Sequence, residues 1–132
     1  MNSFKCPQCR GSLNPKDDIT LLAKNEDGEK ALILLNKAMG NYTMYKDPHF
    51  HMQDNAFIEL FCPVCRVNLA SLTPHSNLAK LLLVDKNGKE YDIFISGIMG
   101  EKCSYKVRGG KVELFGKDAN KYSGVLSKIF GS

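Results

Sequence analysis

Cys6-Pro7-Gln8-Cys9-Arg10-Gly11-Ser12-Leu13 and Cys62-Pro63-Val64-Cys65-Arg66-Val67-Asn68-Leu69 agree at five of eight positions: both cysteines, the proline, the arginine and the leucine. Two residues between cysteines let a tight turn aim both sulfurs at one ion, while backbone N–H groups inside the turn donate to those sulfurs. Proline after the first cysteine presets φ for the turn and removes a donor that would need a partner. The leucine of each copy is expected to pack beneath its knuckle. Phe4 and Phe61, just ahead of the two pairs, are expected to screen the sulfurs from water. Two such knuckles together make a tetrahedral four-sulfur site, a donor set that suits Zn²⁺ or a single iron.

The segments around the knuckles read as β-hairpins. Ile19 to Lys24 and Glu29 to Asn36 flank Asn25-Glu26-Asp27-Gly28, and Leu78 to Asp85 and Lys89 to Ser96 flank Lys86-Asn87-Gly88. Turn residues between two apolar, β-compatible runs are a hairpin signal. Cys103, Tyr105 and Val107 alternate with Lys102, Ser104, Lys106 and Arg108, and Gly109-Gly110 turns the chain into Val112 to Phe115. Tyr42 to Lys46 and Ala56 to Phe61 are further strand candidates, around a polar loop from Asp47 to Asn55. Only the tail has helical periodicity, with Asp118 as a cap and Ala119, Tyr122, Val125, Leu126, Ile129 and Phe130 at three- and four-residue intervals. The expected fold is one mainly β, antiparallel domain over residues 1–132, closed by a short C-terminal helix that packs on the sheet. Residues 1–75 form its cysteine-bearing part with a long inserted hairpin, and residues 76–132 the remaining hairpins and the helix.

Composition narrows the classes. The chain has 132 residues, 43% apolar and 24% charged, and a mean hydropathy of −0.25, which suits one globular domain. Its longest uninterrupted apolar run, Ala31 to Leu35, is far short of the roughly 20 residues of a membrane span. Cys6 arrives before any apolar segment has begun, so no secretory signal is read and a reducing cytoplasm is the expected compartment, where cysteines serve as ligands or free thiols. Residues 1–99 hold eleven basic and eleven acidic side chains and residues 100–132 seven and three, so the whole formal +4 lies in the last quarter. Four thiolates around one Zn²⁺ would leave about +2.

The two knuckles resemble those of the zinc ribbon, a family in which paired Cys-x-x-Cys turns on β-hairpins clamp one structural zinc. The resemblance covers the two eight-residue segments and their flanks, and implies that Cys6, Cys9, Cys62 and Cys65 are the ligands of one Zn²⁺. The sequence departs from the commoner pattern in its 52 residues between Cys9 and Cys62 and in the arginine after each second cysteine, where many ribbons carry glycine. The knuckles are also similar to those of rubredoxin, an iron electron carrier, although the spacing is longer here and tryptophan is absent.

Other features carry less chemistry. Cys103 sits in an alternating strand, as a core thiol does. His49 and His51, with Asp47 or Asp54, can be drawn as a second metal site, but nothing obliges them to converge. His75 reads as a turn residue and Asp17-Asp18 as a solvated turn. No phosphate loop, nucleophile elbow or paired-carboxylate pattern is present. The expected function is a non-catalytic, zinc-binding accessory or regulatory module acting through a protein partner, with the basic edge as the place to look for it. The alternatives are a nucleic-acid-binding ribbon using Lys102, Lys106, Arg108, Lys111 and Lys117 of segment 102–121, and a rubredoxin-like iron carrier.

Overall fold

The computed structural model describes residues 2–130. Nine strands form two antiparallel sheets, followed by one helix: β1 (Ser3–Lys5), β2 (Ile19–Lys24), β3 (Lys30–Leu35), β4 (Met44–Lys46), β5 (Glu59–Phe61), β6 (Leu78–Val84), β7 (Glu90–Ser96), β8 (Ser104–Arg108), β9 (Lys111–Phe115) and α1 (Asn120–Phe130). The five-stranded sheet has the order β1-β6-β7-β8-β9 and the four-stranded sheet β4-β3-β2-β5. The expected mainly β architecture with a terminal helix is thus found. β2 has the expected bounds, other strand ends shift by up to three residues, and β1, not anticipated, lies where the sequence offered only a flank.

The strand orders conceal a duplication. Leu21 pairs with Ile33 as Leu81 pairs with Ile93, and Leu34 pairs with Tyr45 as Phe94 pairs with Tyr105, always 60 positions apart. Residues 19–46 and 79–106 are identical at eight of 28 positions, among them Gly28/Gly88, Met39/Met99, Gly40/Gly100 and Tyr45/Tyr105. Strands β1–β8 are therefore two copies of one four-strand unit, β1–β4 and β5–β8, with β9 and α1 following the second. Each unit lends its first strand to the other's sheet: β1 pairs with β6, and β5 with β2, in equivalent register. The two hairpin turns also match. Asn25 Oδ1 accepts the N–H groups of Asp27 and Glu29, as Asp85 Oδ1 accepts those of Asn87 and Lys89. Gly28 and Gly88 follow with φ of +83° and +79°, a conformation that costs glycine nothing.

One core lies between the sheets, built from Leu21, Ala23 and Ile33 on one side and Phe4, Leu81, Leu83 and Ile93 on the other, with Leu13 and Leu69 beneath the knuckles. A second covers the outer face of the five-stranded sheet, where Tyr122 and Leu126 of α1 pack with Phe94, Tyr105 and Val107. β7 is thus buried on both faces, through Ile93 and Phe94. Of the helical stripe read from sequence, Ala119, Tyr122 and Leu126 are buried, while Val125 and Ile129 stay exposed. Asp118 spends its carboxylate on the N–H of Lys102 instead of capping the helix, and so ties the entry of α1 to the start of β8.

Glu101 fastens the helix further. Its side chain, 10% exposed, accepts from Ser96 Oγ at 2.6 Å, Tyr122 OH at 2.7 Å and Lys121 Nζ at 2.9 Å. Burial alone would raise this carboxyl, but the three donors together hold it below its ordinary value. A depressed folded pKa gives stability that is complete above the ordinary value of 4.5 and is lost as pH falls through the folded value. Glu101→Gln is expected to cost about 1.5–3 kcal/mol at neutral pH. Urea denaturation at pH 7 and at pH 3 should show the wild-type advantage shrinking in acid.

Candidate metal centre

Each knuckle begins where a short strand ends, β1 running into Cys6 and β5 into Cys62. Cys6 N–H donates to Gly11 O and Arg10 N–H to Cys6 O, at 3.0 and 2.9 Å. In the second knuckle Cys62 N–H and Arg66 N–H make the equivalent bonds to Val67 O and Cys62 O at the same two distances. Isolated bridges Lys5–Ser12 and Phe61–Asn68 close the two loops. The N–H groups of Gln8 and Cys9 point at Cys6 Sγ (3.4 and 3.5 Å), those of Val64 and Cys65 at Cys62 Sγ (3.3 and 3.5 Å), and that of Gly11 at Cys9 Sγ (3.3 Å). Such donors stabilise thiolates.

The four sulfurs lie within 4.8 Å of one another. Cys6 Sγ is 3.8 Å from Cys65 Sγ, and Cys9 Sγ is 3.8 Å from Cys62 Sγ. Exchange of the two repeats maps the first contact onto the second. Four sulfurs about 2.3 Å from a common centre stand about 3.8 Å apart, so the cluster could hold one tetrahedral metal ion. Cys6 and Cys62 are fully buried, while Cys9 and Cys65 reach the surface. Burial pushes the Cys6 thiol up to about 12 and raises that of Cys62. The Gly11 N–H, in contrast, lowers Cys9.

The arginines after each second cysteine stand in the left-handed conformation that favours glycine, Arg10 at φ +61° and Arg66 at φ +67°. Arg10 recovers part of that cost through an ion pair with Glu90 at 2.7 Å, both side chains about half exposed. Arg66 has no ion pair among the described residues. Left-handed geometry costs an L-residue roughly 1–2 kcal/mol, and glycine loses back about 0.5–1 kcal/mol of chain entropy. Arg66→Gly is therefore expected to stabilise the protein by roughly 0.5–1 kcal/mol, read as a higher melting temperature, and Arg10→Gly by less.

The other candidates disperse. His49 and His51 are exposed; His49 Nδ1 meets Asp47 at 3.1 Å, and His51 contributes its backbone carbonyl to Asn25. Among the described residues the four cysteines are the one group able to hold a metal ion. Cys103 is a core thiol, 1% exposed, pushed up to about 11 by burial. Phe4 turns into the core and Phe61 pairs with Leu22 on the outer side of the four-stranded sheet. Of the basic side chains, Lys106 and Arg108 lie over the Tyr91 ring, 4.3 and 5.7 Å from its centroid, and Lys111 stands opposite Arg108. Glu113 stands opposite Lys106 within this group, while Lys102 and Lys117 lie at the far end of the β8–β9 hairpin.

An apolar surface also emerges that was not anticipated. Leu32, Leu34 and Tyr45 are exposed by 56, 37 and 60% on the outer face of the four-stranded sheet, beside half-buried Leu22 and Phe61. The signal was the run Ala31 to Leu35: successive strand residues face opposite ways, so burying Ile33 had to turn Leu32 and Leu34 outward. No helix among the described residues is long and apolar enough to cross a membrane. No protein-family model, curated protein or solved structure matches the chain.

Proposed function

We propose that this chain is a non-catalytic zinc-binding module in which Cys6, Cys9, Cys62 and Cys65 hold one structural Zn²⁺, and that it acts through a protein partner. The observation that carries the metal reading is the pair of 3.8 Å sulfur contacts between the knuckles, the edge length of a zinc–thiolate tetrahedron. Four protein ligands leave no coordination position for substrate or water, which supports a structural role. The same tetrahedron fits iron, so metal content and colour separate the two readings. Protein purified from an expression host without added metal is expected to be colourless and to contain one zinc per chain. A visible thiolate-to-iron absorption with stoichiometric iron would replace this reading with a rubredoxin-like carrier.

The partner reading is supported by the duplication. On the five-stranded sheet, α1 covers Phe94 and Tyr105; their counterparts on the other sheet, Leu34 and Tyr45, are exposed. An exposed apolar patch of this kind marks an interaction site, and the covered copy suggests an amphipathic helix as the element that fits it. Affinity capture from the native host should retain a partner that Leu34→Lys with Tyr45→Lys releases, at unchanged metal content; capture of the same set by both proteins would count against this face. The nucleic-acid reading keeps one favourable feature, the Tyr91–Lys106–Arg108–Lys111 group. It requires salt-sensitive binding of oligonucleotides that is lost when those cations are replaced.

A further inference from the structure

A cavity of about 170 Å³ opens between the two sheets. The two repeats line it with equivalent residues: Ile33 and Ile93, Leu35 and Ile95, Met39 and Met99. Its mouth lies between the β3–β4 loop and the β7–β8 loop, which turn at Gly40 and Gly100 with φ of +87° and +92°. Because both units contribute the same positions, the space belongs to their mutual arrangement and is not a local packing fault of one loop.

The chemistry of the walls limits what can fill it. A buried water needs two to four polar partners. The hydroxyls of Tyr42 and Ser104, which reach the wall, are bonded to each other at 2.9 Å, and Tyr42 donates to Phe115 O at 3.1 Å. Among the described residues every buried side-chain nitrogen or oxygen already has a partner. Protein interiors are otherwise close-packed, and an empty space of this size loses the contacts its lining would make. An apolar cavity of about 150 Å³ stays dry and accepts benzene. Met39, Met44 and Met99, three of the chain's five methionines, form part of the wall, and their unbranched, polarizable side chains adjust to the shape of a guest.

We propose that this cavity is a binding site for a small apolar group of about six carbons, a short alkyl chain or a single ring, with any polar head left at the mouth beside Lys102. The site is independent of which metal the cysteines hold. The test is NMR of the protein as purified, labelled with ¹³C at the methionine methyls and titrated separately with benzene and with 1-hexanol. Saturable shifts are expected at Met39, Met44 and Met99, with Met52, which packs on the core outside the cavity, unmoved. The two probes should displace one another, and the tighter one tells ring from chain. Ile95→Phe, which fills the space, should weaken binding at least tenfold. Absence of shifts from both probes up to their solubility limits, parallel non-saturating shifts at Met52, or unchanged affinity in a folded Ile95→Phe would each overturn the proposal. Should that variant fail to fold, the wild-type titrations and the competition between probes decide the matter alone.

Discussion

Stripping the metal from the four-cysteine cluster is expected to lower the melting temperature by at least 15 °C and to release both knuckles together. Metal affinity in such sites is of the order of ten kcal/mol, and for a domain of this size each kcal/mol corresponds to about 3–4 °C. Topology explains why the loss reaches beyond the cluster. The first knuckle hangs from β1 and the second from β5, each strand only three residues long and each hydrogen-bonded to a strand of the other repeat. An ion held by the four cysteines would pin together two edge strands whose own pairing is too short to hold them. Leu13 and Leu69, fully buried under the knuckles, lose their cover when the turns open. The duplication adds a sharper expectation for single substitutions. Cys6→Ser and Cys62→Ser should weaken zinc binding to a similar degree, by at least about 100-fold, since loss even of an outer-shell partner costs 10–100-fold. Chelator titration followed by calorimetry, with metal content measured on the same samples, checks both statements. A metal-free protein with an unaltered melting curve would remove the structural role.

The knuckles were legible in sequence because a turn that aims two sulfurs at one point constrains spacing residue by residue. The hairpins were legible because Gly28 and Gly88 stand where a positive φ is required. The duplication of the whole unit was not legible, for a physical reason. Between the leucine shared by both knuckles and the hairpin, the second copy carries four more residues than the first, where Leu69–Leu72 form a 3-10 turn. The offset between copies therefore changes from 56 to 60, and the strand cores that survive, Leu21/Leu81 and Ile33/Ile93, are residues any β core would use. Strand exchange hides it further, because β1 and β5 pair across the repeats and no local pattern announces a long-range partner. The outer faces diverged for a different reason: β9 and α1 follow only the second copy, so Phe94 and Tyr105 are buried where Leu34 and Tyr45 are not.

Gly116→Ala is expected to be the most damaging substitution outside the cysteines, at about 4 kcal/mol or more, a size reached only when a backbone clash or a core defect is created. Gly116 follows β9 at φ +94°, and a Cβ there would sit 2.1 Å from Lys102 O and 2.5 Å from Tyr42 Oη. Neither neighbour can yield cheaply. Lys102 is held on both sides by Asp118, whose N–H donates to Lys102 O at 3.0 Å while its carboxylate accepts Lys102 N–H at 2.9 Å. Tyr42 OH is engaged by Ser104 and Phe115. Relief of the clash must therefore break the crossover from β9 to α1, and with it the contact of Tyr105 OH with Ala119 O at 2.6 Å and the burial of Tyr122 and Leu126. The cysteine cluster belongs to other elements, so metal content should be unchanged while the amides of α1 lose exchange protection. Gly124→Ala supplies the opposite sign from within the same helix. A Cβ at Gly124 meets nothing within 4 Å, and replacing a mid-helix glycine with alanine gains about 0.8–1 kcal/mol. Urea denaturation of both variants measures the difference. A Gly116→Ala protein within 1 kcal/mol of wild type would show that the crossover yields where the geometry says it cannot.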